Sequence, residues 1–160
     1  MIYEFRFRLT SPILANKVTP ERIRRFIQKN GELCVDLNQV NWALEQSAKD
    51  LKLTEAEWSA VHFPITIRRP TLQTYCRRYF NDRQERKEEN FECIGEKTVL
   101  TMPLAVADRP AQTKPTETSR GPTHTELRAA LSHAGEHYGF SQWGANRGFG
   151  RFVVVGLVSQ

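Results

Sequence analysis

Gly139, Gly144, Gly148 and Gly150 crowd the junction between an amphipathic stretch and an apolar one. Before them, Leu127, Ala130, Leu131, Ala134 and Tyr138 recur at helical spacing. That pattern predicts a helix, capped at Thr123 or Thr125 and carrying Glu126 in its first turn. After them, Val153 to Val158 is apolar on both faces, the pattern of a strand covered from two sides. A helix must therefore give way to a strand through a segment where the backbone can turn left-handed and other backbone can approach closely. Gly139 is expected as the residue that ends the helix. At least one of Gly148 and Gly150 is expected at positive φ or against another backbone. The rest of the chain has to supply a sheet for this strand and an apolar face for this helix.

The N-terminus supplies the first of these. Tyr3, Phe5, Phe7 and Leu9 alternate with Glu4, Arg6 and Arg8, a half-buried strand with its arginines outward. Thr19-Pro20-Glu21 has the cap, N1 proline and acidic first turn of a helix, with Ile23, Phe26 and Ile27 as its stripe and Gly31 as its end. Leu37, Val40, Ala43, Leu44, Ala48 and Leu51 trace another helix from Asp36. Thr54 to Glu57 reads as a capping box opening a short helix that carries Trp58. Val61 to Ile67 is a strand broken by Pro64. Phe91–Ile94 and Thr98–Leu104, on either side of Gly95-Glu96-Lys97, carry a hairpin signal. The segment 108–122 is rich in Pro and Thr, a flexible connection whose ordering would require contacts with another chain or with its own sheet.

Two stretches bring arginine and aromatic side chains together. In the first, Arg77 and Arg78 follow and precede Tyr75 and Tyr79, and an extended chain puts Tyr75, Arg77 and Tyr79 on one face. In the second, the glycines are interleaved with Trp143, Asn146, Arg147, Phe149 and Arg151. Arginines neutralise phosphates and aromatic rings stack on bases, so both stretches suit single-stranded nucleic acid. Both also suit ordinary structure: rings that plug a core and arginines that solvate a strand. The net charge of +5 favours an anionic partner mildly, because 18 acidic residues dilute the 23 basic ones.

Other chemistry is thinly represented. Cys34, Cys76 and Cys93 lie far apart with no CxxC pair, which points to reduced thiols in a cytosol-like compartment. His133 and His137 have a spacing that can bind a metal, but the intervening pattern lacks a third ligand. His124, His133 and His137 are the candidates for acid–base work on a phosphodiester, and nothing in the sequence separates them. No nucleophile elbow, P-loop or dinucleotide fingerprint is present.

The closing run from Gly139 to Val154 resembles the glycine-rich loop before the last strand of RAMP proteins, the RNA-binding, ferredoxin-like family of CRISPR systems. Together with Thr10-Ser11-Pro12-Ile13-Leu14, it is also similar to a family of uncharacterised phage and prophage proteins. Those carry a TSPLL-type segment after their first strand and end in helix, Gly-x-Gly and a GRF motif, here Gly148 to Phe152. The resemblance covers roughly the first 14 and last 35 residues. Ser141 stands where RAMP loops carry a second glycine, and no histidine matches the one that cleaves repeats in processing members. What the resemblance implies is RNA binding without an assigned nuclease, and a viral or mobile-element origin.

These readings combine into one expectation: a single α+β domain over residues 1–160, with an antiparallel sheet of five or six strands and helices on one face. The fold would be a ferredoxin-like, RAMP- or RRM-like variant with the first and last strands adjacent at the sheet centre. The chain is expected to be a non-enzymatic binder of RNA or single-stranded nucleic acid in a bacterial host cytoplasm. It would need no cofactor, metal or membrane and would sit in a homo-oligomer or larger assembly. The alternatives are a phage interaction protein that binds a host or defence protein, and a metal-independent endoribonuclease.

Overall fold

The computed structural model describes residues 2–29, 32–53, 58–60, 66–67, 72–106 and 122–160. In chain order the strands are β1 (Ile2–Leu9), β2 (Ile13–Leu14), β3 (Lys17–Val18), β4 (Ile23–Arg25), β5 (Ile27–Lys29) and β6 (Glu32–Cys34). After helix α1 (Leu37–Asp50) come β7 (Trp58–Ala60), β8 (Thr66–Ile67), β9 (Leu72–Phe80), β10 (Arg86–Ile94) and β11 (Val99–Val106). Helix α2 (His124–His137), a 3-10 turn (Ala145–Arg147) and β12 (Phe152–Ser159) complete the chain. The architecture is α+β, built on antiparallel sheets and two helices. No described helix is long and apolar enough to cross a membrane.

The first sheet runs β12-β1-β11-β7, antiparallel throughout, with β8 also on β11. The alternation of β1 drives it: Tyr3, Phe5, Phe7 and Leu9 are buried while Arg6 faces out beside Glu4 at 3.6 Å. Phe5 stacks on Phe7 at 4.8 Å, and Phe152 lies against both. Each such ring withdrawn from water stabilises the fold by about 1.5–3 kcal/mol. Both helices cover this face, α1 through Val40, Ala43 and Leu44 and α2 through Leu127, Leu131 and Ala134. Gly135 lets α2 lie flush on β12, since a Cβ there would collide with the Phe152 carbonyl. Thr123 and Glu126 form a reciprocal capping box at 3.1 and 3.2 Å, worth about 1 kcal/mol.

The second sheet is organised on β10. It pairs with β9 along its full length, and with β2 and the parallel β4 on its other edge; β3 pairs with β4. β5 and β6 form a separate hairpin. The turn between β9 and β10 is tied by the Asn81 carboxamide, which accepts from Arg83 and Glu85 backbone N–H groups.

Four expectations need correction. Thr19-Pro20-Glu21 opens no helix: the Arg22 N–H donates to the Thr19 carbonyl at 3.2 Å and closes a turn, with proline second. The following residues become β4, paired with β10, and β5, paired with β6, because strand pairing outweighs local helix preference. Residues 91–94 and 98–104 are not a hairpin, since β10 and β11 pair with β9 and β1 in different sheets. β12 is an edge strand among the described residues rather than a central one, and Val153, Val155 and Val158 on its outer side are exposed. Trp58 lies on strand β7 and not on a helix. The capping box at 54–57, residues 61–65 and the connection at 108–122, Pro122 apart, lie outside the described residues.

Candidate functional site

The glycine-rich turn is a knot of backbone hydrogen bonds between the two chain ends. Phe140 N–H donates to the Gly150 carbonyl at 3.0 Å, and Gly150 N–H donates to the Pro12 carbonyl at 2.7 Å. Thr10 and Ser11 N–H groups donate to the Arg151 carbonyl, and the Arg151 N–H donates to Ser11 Oγ. The buried Ser141 hydroxyl accepts from Leu14 N–H at 2.9 Å. Gly139, Gly144, Gly148 and Gly150 all have positive φ. At Gly150 the constraint is double, since a Cβ would lie 2.5 Å from the Ser141 nitrogen.

The knot docks on the second sheet through rings. Trp143 meets Phe91 at 5.2 Å and Phe149 at 5.5 Å, both edge-on, and Tyr75 closes the cluster against Phe149 at 5.4 Å. Phe149 is 8% exposed, so it plugs this smaller core. Trp143 is half-buried and sits at φ +67°, a left-handed conformation rare for a bulky residue. It is the third residue of a turn closed by Gly144 N–H on the Ser141 carbonyl, the position that type II turns give to glycine. The strain holds the indole between the core and the surface. There the Arg77 guanidinium lies 4.9 Å from the Trp143 ring and 4.5 Å from the Tyr79 ring. Arg24 lies over Phe91 at 5.6 Å on the same side.

No family model matches the chain, and no curated protein matches it.

The other residues singled out in the sequence are placed less evenly. Arg78 points to the opposite face of β9 and is exposed. Arg151 is exposed, but its Nε donates to the Ala145 carbonyl at 3.2 Å. Arg147 and Asn146 are exposed on the 3-10 turn, and Asn146 borders a recess of about 200 Å³ beside Trp42 and Tyr138. Glu89 is the acidic member of the Arg77 face: it faces Arg77 across the strands and accepts the Tyr79 hydroxyl at 3.1 Å. That hydrogen bond holds the Tyr79 phenol above its ordinary pKa, so its hydroxyl stays protonated.

The histidines separate once their partners are visible. His124 Nε2 lies 2.9 Å from the Leu157 carbonyl and its ring tilts on Tyr3, which ties α2 to β12. His133 Nε2 lies 3.0 Å from Asp50 Oδ2, and the same oxygen accepts the Tyr138 hydroxyl. His137 packs on His133 with ring centres 4.2 Å apart. These two bonds, Tyr138 foremost, hold the Asp50 carboxyl below its ordinary range. Asp50 closes the α1 end onto α2 across 83 residues from His133, a contact with no signal in the local sequence. Among the described residues no group of three or more His, Cys, Asp and Glu side chains is placed to hold a metal ion.

Proposed function

We propose that the face formed by β9, β10 and the glycine-rich turn binds single-stranded nucleic acid, with RNA as the first candidate, and that the chain does so as a non-enzymatic subunit of a phage or mobile-element assembly. One observation carries the reading: Arg77 lies between the rings of Tyr79 and Trp143, so the two stretches richest in arginine and aromatic residues meet on one surface. A guanidinium braced by rings stays charged, keeps outward N–H donors for a phosphate, and leaves the free ring surface for base stacking. Arg24, over Phe91, extends the positive side of this face. Phe149 and Tyr75 support it from below. Two further features favour the reading. The Thr10–Pro12 segment and Gly150–Arg151 that carry the likeness to phage proteins and RAMP loops are hydrogen-bonded to each other. The order β12-β1-β11-β7, with α1 and α2 as crossovers, supports a ferredoxin-like description of the first sheet.

The test is binding of fluorescent single-stranded RNA and DNA over a salt series. Two or three phosphate contacts give a log–log slope of about −1.5 to −2 on single strands, at roughly −0.7 per contact. A flat response or none leaves the surface to a protein partner, and cleavage of the labelled RNA without metal would move the activity to the endoribonuclease alternative.

A further inference from the structure

A second feature adjoins this face. A cavity of about 450 Å³ opens between β2, β4, the first turn of α1 and the start of the glycine-rich turn. The size suits a small organic ligand. Its walls are apolar: Ile13, Leu14, Phe26 and Phe140 are buried there, and Ile27 stands half exposed at the rim. The lining also carries three carboxamides, the exposed Asn16 and Asn38 and the half-buried Gln142. Each combines donors and an acceptor, the pattern that pairs with the edge of a base. Gln142 Nε2 is committed to the Ala15 carbonyl at 2.9 Å, which leaves its oxygen. Asn16 Oδ1 accepts from Arg24 at 3.2 Å, which leaves its NH₂. The Asn38 side chain makes no hydrogen bond to another described residue.

The charges at the cavity choose between ligands. Arg25 is engaged by Glu21 at 2.9 Å and Glu92 at 3.4 Å. Asp36 caps α1 by accepting from Asn38 N–H, so its carboxylate occupies the helix end that would otherwise attract an anion. Lys17 is left to offset Asp36, and the interior is close to charge-balanced. A phosphate gains nothing there, while a flat neutral ring with hydrogen-bonding edges gains apolar contact and three amide partners.

We infer that this cavity receives one unstacked nucleobase of the bound strand, with its phosphate left outside; the inference rests on the nucleic-acid reading of the adjoining face. Gln142 on the cavity wall directly precedes Trp143 on that face, about 3.8 Å away along the backbone. The cavity wall and the ring surface are therefore built on consecutive residues of one turn. The sequence marked neither Asn38 nor the cavity, because its lining comes from four separate segments.

The experiment uses the full chain, free adenosine and cytidine with their monophosphates, and a single-stranded RNA carrying 2-aminopurine. Nucleosides are expected to shift the NMR signals of the Asn38 and Gln142 carboxamides, and to bind as tightly as their monophosphates. The 2-aminopurine should brighten on binding as it leaves the stack. Ile27→Trp, which fills the rim from an exposed position, should weaken nucleoside binding at least tenfold and abolish the brightening while the RNA stays bound. Asn38→Ala, with the α1 cap intact, should weaken nucleosides by severalfold and serves if the tryptophan variant folds poorly. RNA that binds without nucleoside shifts, and equally to both variants, overturns the cavity alone. Nucleosides that bind when no single strand does would overturn the strand-binding face and the inference with it, and leave a pocket for free nucleosides.

Discussion

Gly150→Ala isolates the backbone knot on which the site is built. Gly150 sits at φ +70°, where an L side chain costs about 1–2 kcal/mol. The added Cβ would also lie 2.5 Å from the Ser141 nitrogen and 2.7 Å from the Phe140 nitrogen, so backbone has to move. That movement strains two hydrogen bonds, Phe140 to Gly150 and Gly150 to Pro12, each worth about 1 kcal/mol. The expected cost is about 3 kcal/mol or more, a fall in melting temperature of roughly 6–12 °C for a chain of this size. Gly148→Ala is the internal control. Its φ of +84° carries the same conformational penalty, but no atom lies within 4 Å of the added methyl. It should lose about 1–2 kcal/mol, and roughly half the temperature shift or less. Paired urea and thermal unfolding of the two variants decides the matter. Equal losses would refute the claim that close backbone approach, and not φ alone, fixes Gly150.

Trp143→Gly should be more stable than Trp143→Ala by about 1 kcal/mol by urea unfolding, since glycine relieves the left-handed φ while both lose the ring; both should bind single-stranded RNA more weakly than the wild type, and equal stability would show that the backbone is unstrained. The Tyr138 and His133 hydrogen bonds hold the Asp50 carboxyl below its ordinary range, so the native state binds fewer protons there than the unfolded chain and stability rises with pH. The wild type's advantage over Asp50→Asn should accordingly be full at neutral pH and shrink as pH falls below about 4, measured by unfolding across an acid series; an advantage constant down to pH 2 would contradict it.

Local pattern carried part of this architecture into the sequence. Tyr3 to Leu9, the α1 stripe and the Thr123–Glu126 cap are read from neighbours two to four residues apart, and the structure agrees with them. Thr19-Pro20-Glu21 misled because a helix start and a turn share their first residues; distant β10 decided between them. The run of valines in β12 suggested cover on both sides, but only pairing shows that one side is open. The aromatic and arginine stretches were each visible, and so was their ambiguity. Phe149 resolves as a plug and Arg78 turns away, while Arg77 gains its ring partner Trp143 from the distant glycine-rich turn. The Asp50–His133–Tyr138 contacts were equally out of reach of spacing.

The most direct measurement is the dissociation constant of a labelled single-stranded RNA for the wild type and for Arg77→Ala at the same low salt, with melting temperatures recorded for both. A stacked base contact is worth about 1–3 kcal/mol, and Arg77 supports both the phosphate and the ring geometry. Arg77→Ala is expected to bind about tenfold more weakly or worse, with a melting temperature within roughly 2–4 °C of the wild type, because the ring contacts of this half-buried arginine add only about 1 kcal/mol to stability. An unchanged dissociation constant in a folded Arg77→Ala protein would contradict the strand-binding reading.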